Sequence, residues 1–172
     1  MSEQSLEQNI RGTRERLLEL TERETATTLK VLRAYPSEQS ELKPHPRLKT
    51  ARELAWLFAS EQMLAIAAIN DTLDLSAGFP PAPSRFDEVV ASFEHSRNEL
   101  IQLLRTCSDA QLAGTTQFFV APRTMGDVPK LAFLEFLVHD QIHHRGQFSV
   151  YLRMADGKVP SIYGPTADEP WT

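Results

Sequence analysis

Hydrophobic residues recur at three- and four-residue steps over four long stretches of the chain, separated by connections marked with proline and glycine. The first stretch covers residues 5–35, with Ile10, Leu17, Leu18, Leu20, Leu29, Val31 and Leu32 as core positions, and it stops before Pro36. Its polar, threonine-rich middle, residues 21–28, predicts a kink or break. After a loop over 36–49, Thr50-Ala51-Arg52-Glu53 reads as a capping box, in which the threonine hydroxyl accepts a backbone bond and the glutamate reaches back. The helix it opens, over 50–74, is apolar almost all round and is expected at the centre of the molecule. Gly78-Phe79-Pro80-Pro81-Ala82-Pro83 is a turn-rich link, and Ser84 with Asp87 signals the start of a third helix built on Phe86, Val89, Val90, Phe93, Leu100, Ile101, Leu103 and Leu104. Residues 114–129 set Phe118, Phe119, Val120 and Met125 among Gly, Thr and Pro and read as a loop folded back over the helices. A fourth helix over 130–155 closes at Gly157. The tail beyond it carries Ile162, Tyr163 and Trp171 and is expected to pack. With no convincing strand alternation, the pattern predicts an all-α four-helix bundle forming one domain over 1–172.

The fourth helix carries the most informative chemistry. Three of the five histidines lie between Val138 and Gln147, together with Asp140 and Arg145. Helical phase puts Phe133, Leu137, Asp140, His144, Phe148 and Tyr151 on one inward seam, with His139 and His143 rotated toward its edge. Asp140 and His144 are four apart and stack on adjacent turns, the geometry by which one helix offers two ligands to one ion. The competing reading is that they hydrogen-bond each other in a polar pocket.

A second charge bears on that choice. Glu61 shares the most apolar face of the second helix with Leu54, Leu57, Leu64, Ala65 and Ala68. A lone carboxylate there needs a cation or a proton, and Arg52, Arg145 and Arg153 are the alternative partners. Glu61, Asp140 and His144 together form a carboxylate-rich candidate metal site. Arg145 is otherwise expected to bind a buried carboxylate or the tail, Gly146 to permit close helix approach, and Trp56 and Trp171 to pack. His45 and His95 read as solvated.

Composition narrows the functional classes. A chain of 172 residues, 41% hydrophobic, can bury a sizeable core. A net charge of −5 without a concentrated basic stretch argues against nucleic acid as a partner. Cys107, the single cysteine, cannot form an internal disulfide and reads as a helix-end packing residue in a reducing compartment. No stretch has the length of a membrane span, and no basic-then-apolar leader opens the chain, so a cytoplasmic protein without a membrane partner is expected.

The run His143-His144-Arg145-Gly146-Gln147-Phe148-Ser149-Val150-Tyr151-Leu152-Arg153, followed by Val159-Pro160-Ser161-Ile162-Tyr163-Gly164-Pro165 and Asp168-Glu169, resembles the C-terminal signature of the DinB/YfiT-like family. Arg52-Glu53-Leu54-Ala55-Trp56 is similar to the entry of that family's second helix. The resemblance implies a four-helix bundle with an up-up-down-down style of connection, a homodimer, and a divalent metal held between the second and fourth helices. It also implies a metal-dependent transferase using a low-molecular-weight thiol, while the three converging polar groups are equally compatible with a metal-dependent hydrolase. The family's usual ligands are three histidines, one from the second helix and two spaced by four on the last. Leu57 stands at the first of these positions and Asp140 at the second, and only His144 keeps the imidazole. Either the site is lost, leaving a non-catalytic stress-related or structural dimer, or Glu61, one turn beyond Leu57, and Asp140 rebuild it. The candidate ions are zinc, manganese, iron and nickel, and carboxylates favour the first three.

Overall fold

The structure is a computed structural model that describes residues 3–76 and 78–172. The first helix, α1 (Glu3–Arg33), runs unbroken through its threonine-rich middle. The hydroxyls of Thr25, Thr27 and Thr28 donate to carbonyls one turn back, those of Thr21, Arg23 and Glu24, so these side chains are satisfied inside the helix and the expected kink does not form. A short 3₁₀ turn, Ser37–Gln39, leads to α2 (Ala51–Ile69). Its capping box forms as expected: Thr50 Oγ1 accepts from the Glu53 amide at 3.1 Å, and Glu53 Oε2 accepts from the Thr50 amide at 2.8 Å. The helix ends earlier than the apolar pattern suggests, because Asp71 takes a left-handed conformation (φ 57°) that turns the chain.

Helix α3 (Phe86–Thr106) has Arg85 as its N-cap, without a side-chain cap bond, so Ser84 does not play the role its position suggested. Asp87 and Glu88 in the first turn supply the negative charge that favours a helix start. Cys107 caps the other end and is buried, as expected.

The segment expected to be a loop is ordered differently. After a one-turn helix α4 (Asp109–Leu112), strands β1 (Thr115–Ala121) and β2 (Thr124–Pro129) pair antiparallel as a hairpin, with Thr115 opposite Pro129 and Ala121 opposite Thr124. The class is therefore mostly helical with a small two-stranded sheet, not all-α. Alternation exists but is local: Thr116, Phe118, Gly126 and Val128 turn toward the helices while Thr115, Gln117, Phe119 and Met125 face out. Consecutive Phe118, Phe119 and Val120 mask that period in the sequence. The last helix, α5 (Lys130–Met154), matches its predicted span to within a residue.

Helix α1 packs against α3 and α5, and α2 packs against the same two, so the four long helices close a ring. Two apolar clusters fill it. One gathers Leu32, Tyr35, Phe58, Phe93, Phe148 and Tyr151; the other gathers Leu17, Ala65, Ile69, Leu104, Phe133 and Leu137. Between them, on every long helix, lies a stretch of buried polar residues: Thr21, Glu24, Thr25 and Thr28 on α1, Ser60, Glu61 and Gln62 on α2, Ser96 on α3, and Gln141 and Arg145 on α5. The core is thus cut by a polar layer, and the candidate site belongs to it.

At the end of α5, Gly157 donates its amide to the Leu152 carbonyl at 3.0 Å, and a β-carbon there would lie 2.2 Å from Leu152 Cδ1 and 3.1 Å from its carbonyl oxygen. Leu152 is fully buried and has little room to yield. Gly157→Ala is expected to cost about 1–3 kcal/mol, read as a lower urea midpoint with an unchanged slope.

The tail packs, but not through the side chains expected to anchor it. Val159 and Ile162 are partly buried against the first apolar cluster, whereas Tyr163 is 65% exposed and Trp171 67%. Polar contacts hold it: Asp168 accepts from Arg153 and from the Val159 amide, Glu169 pairs with Lys30 at 2.9 Å, and the Thr166 hydroxyl donates to the Val159 carbonyl at 2.7 Å.

Candidate metal centre

Helix α2 presents Glu61, and α5 presents Asp140 and His144 across the groove between them. Glu61 Oε1 lies 2.8 Å from His144 Nδ1, and Asp140 Oδ2 lies 3.7 Å from the same nitrogen. One ligand atom from each residue falls within 4.8 Å of the others. All three residues read from the sequence are therefore brought together. Their depth differs from expectation on α5. The buried stripe of that helix runs through Leu137, Val138, Gln141, Arg145 and Phe148, so Asp140 and His144 stand one step round from it and are half-buried, while His139 and His143 are exposed. Glu61, only 5% exposed, forms the floor of the site, and the other two form its solvent-side wall.

The arginines that were alternative partners for Glu61 are engaged elsewhere. Arg52 binds Glu41 at 2.7 Å, Arg153 binds Asp168, and Arg145 binds Glu24 at 2.7 Å. Glu61 has only an imidazole against it, and its second oxygen, Oε2, has no hydrogen-bond partner among the described residues. Burial pushes the Glu61 carboxyl up to about 7, with the bond and charge of His144 working against that rise and the neighbouring Asp140 adding to it. The hydrogen bond from Glu61 lifts His144 above its ordinary value, against the effect of its own burial. The carboxyl and the imidazole, both shifted upward, face each other across 2.8 Å, in position to exchange a proton. Without an ion, both groups contribute stability that is fully present below their unfolded-state values and is lost as pH rises through the folded ones, about 7 for Glu61.

The residues fit a divalent ion on two counts. The orphaned Oε2 is a buried acceptor lacking the positive partner that a carboxylate in such a place needs. The donor set, two carboxylates and one imidazole, suits an oxygen- and nitrogen-preferring ion.

Leu57 packs partly buried against the first apolar cluster and offers no donor. Arg145 meets its expectation in both forms: it donates to Glu24 Oε2 and it bonds the hydroxyl of Tyr163 from the tail. Gly146 does not. It is exposed, and a β-carbon there would meet nothing within 4 Å. Trp56 packs and donates to the Pro80 carbonyl at 2.8 Å, and His45 and His95 are exposed as expected.

Sequence reasoning missed Glu24, Thr28 and Gln141 as parts of the polar layer. A signal existed: Leu17, Thr21, Glu24, Thr28, Val31 and Tyr35 follow alternating steps of four and three, so the polar residues continue the apolar seam of α1 rather than leaving it.

The DinB family model matches residues 1–171. The chain belongs to the DinB family. A relative in Bacillus subtilis (strain 168), the uncharacterized protein YrdA, is 29% identical over 162 residues, covering 91% of this chain and 92% of that protein. Among solved structures, a DinB-like protein of Bacillus cereus superposes with a TM-score of 0.72 at 23% identity, over 87% of this chain and 97% of the other. The DinB-like YjoA of Bacillus subtilis gives 0.65 at 15% identity, over 86% and 97%. These likenesses show a DinB-like fold. No helix of the described residues is long and apolar enough to cross a membrane.

Proposed function

We propose that this DinB-family chain is a metal-dependent small-molecule transferase or hydrolase, with a low-molecular-weight thiol as the candidate co-substrate. Glu61, Asp140 and His144 would hold the ion. The observation that carries the reading is the Glu61 carboxylate, buried, without an arginine, and with one oxygen unpartnered beside two further ligand groups. A divalent ion supplies Lewis acidity, toward a small electrophile and toward the proton of a thiol or water. Glu61 and His144 are already poised to hold or pass a proton near neutral pH. Asp140 and His144, half-exposed, leave the solvent side of the groove open to a small molecule. Zinc, manganese, iron and nickel are the candidate ions, with the carboxylates weighing against nickel.

The finer architecture proposed is a four-helix bundle that forms a homodimer in the cytoplasm. Support for pairing comes from the surface rather than from the apolar second helix. The apolar residues of α2 are mostly buried within the chain, while Phe119, Val120 and Met125 of the hairpin and Phe136, Val150 and Met154 of α5 are exposed. Light scattering at micromolar concentration is expected to give twice the chain mass, and a monomer counts against pairing. The second reading is a non-catalytic dimer whose acid and imidazole are a degenerate remnant, favoured by the 2.8 Å bond that Glu61 and His144 make without an ion. Elemental analysis of untagged protein separates the two: about one equivalent of a transition metal is expected under the first reading, and none under the second.

A further inference from the structure

We propose that His139 and His143 form a second, outer metal site on α5, an imidazole pair that takes Cu²⁺, Ni²⁺ or Zn²⁺ from solution and loads the ion into the centre beside it. The loading role rests on the metal-centre reading above, whereas the pair stands on its own. Both residues are exposed and lie four apart on one helix, so their side chains stack on adjacent turns with β-carbons about 5–6 Å apart. Two histidines at this spacing are a recurrent means by which one helix holds a transition ion. His143 Nε2 lies 2.8 Å from Gln147 Nε2, one turn further on. An amide nitrogen only donates, so His143 Nε2 bears a lone pair and no proton, the form in which an imidazole ligates. The partner that an ion displaces there is a neutral amide on an exposed side chain.

The pair sits on the solvent side of the centre. At about 100° per residue, His139 and His143 fall beside Asp140 and His144 around α5, further from its buried stripe. The His143 and His144 ring centroids are 5.4 Å apart, and Asp140 stands one turn before both. Burial therefore deepens in steps, from exposed His139 and His143, through half-buried Asp140 and His144, to buried Glu61. The donors change along the same line. Two neutral imidazoles suit copper, nickel and zinc and bring no charge of their own, whereas the centre adds two carboxylates that hold a dication more firmly. An ion caught by the pair is thus close to a stronger site, and its second binding step becomes intramolecular. With only two protein donors, the outer site also keeps positions open through which the ion can change partners.

The test uses full-length, untagged protein: wild type, His144→Ala, the double variant His139→Ala/His143→Ala, the triple variant that combines them, and His95→Ala as an exposed control. Cu²⁺ reports on the pair. Its pulsed paramagnetic resonance should show two imidazoles in His144→Ala and lose that signature in the triple variant, with Cu²⁺ affinity falling at least about tenfold. Zn²⁺ reports on loading. In the double variant, chelator competition should give the centre its wild-type affinity, while stopped-flow mixing shows loading and release both slowed at least roughly tenfold, because the ion enters and leaves by one path. His95→Ala should alter neither. A two-imidazole signature missing from His144→Ala, or persisting in the triple variant, overturns the outer site. Wild-type loading and release in the double variant overturn its role toward the centre. A lower equilibrium affinity of the centre in the double variant would make the pair part of it, and overturns the division into two sites. If wild type holds no Zn²⁺, the centre and the loading role fall together, and the Cu²⁺ signature alone decides whether the pair is a site.

Discussion

His144→Ala is expected to lower divalent-ion affinity by at least about 100-fold, the upper end of what losing even an outer partner of a ligand costs. The variant removes the one imidazole of the site and leaves Glu61 and Asp140 facing each other with no neutral donor between them. Titration calorimetry with Mn²⁺ or Zn²⁺ measures the loss. His139→Ala and His95→Ala serve as controls, because both side chains are exposed and outside the group, and their affinities should match wild type. Affinity should also depend on pH in a defined direction. An ion must displace a proton held by Glu61 or His144, so binding weakens as pH falls below about 7, roughly tenfold per pH unit for each proton displaced. Glu61→Gln should abolish binding yet leave the metal-free protein at pH 8 as stable as wild type or more so, since the amide keeps the shape and removes a buried charge. A His144→Ala protein that binds as tightly as wild type would sink the assignment.

Arg145→Met is expected to destabilise the fold by about 3–5 kcal/mol, the cost of leaving one member of a buried ion pair uncompensated. Glu24 and Arg145 are each 1% exposed, and the carboxylate left behind would keep only Arg23 and the Tyr163 hydroxyl as partners. For a chain of this size that corresponds to roughly 6–20 °C in melting temperature. Removing both charges, with Glu24→Leu added to Arg145→Met, should recover much of the loss, because a packed apolar pair no longer buries an unmatched charge. The pair also shapes acid stability. Burial alone would raise the Glu24 carboxyl, but bonds from Tyr163, Arg145 and Arg23 outweigh it and hold it below the usual glutamate range. Its contribution is therefore present above the unfolded-state value near 4.5 and is lost as pH falls through the lower folded one. Denaturant midpoints measured from pH 6 down to pH 3 should show that decline in wild type and a shallower one in the double variant.

Much of the site was readable before any tertiary contact was known. Glu61 stood out because a charge on an apolar helical face has to be answered, and Asp140 with His144 because four-residue spacing stacks two side chains on one helix. Both arguments use only the period of the α-helix and the cost of burying charge, which is why they carried over to the folded protein. The existence of the four long helices, the span of the last and the Thr50/Glu53 cap follow from the same local rules, whereas the early end of α2 at Ile69 does not. What answers the charge was not local. Arg52, Arg145 and Arg153 were equal candidates in the sequence, and only the packing of α1 on α5, which sets Glu24 against Arg145, and the return of the tail, which sets Asp168 against Arg153, left Glu61 to His144. The hairpin was hidden because seven residues with one solvated face show alternation only once the helices define which face is inner. The exposure of Tyr163 and Trp171 was hidden as well, since large apolar side chains in a tail signal burial until polar anchors such as Asp168 and Glu169 are seen to hold the segment instead. The sequence by itself determined the helices, their inward faces to within one position, and the three residues that come together at the candidate centre, because helical period and charge burial act along a single element. The tertiary structure alone decided the polar layer and the partner of each buried charge, because those depend on which faces of separate helices meet.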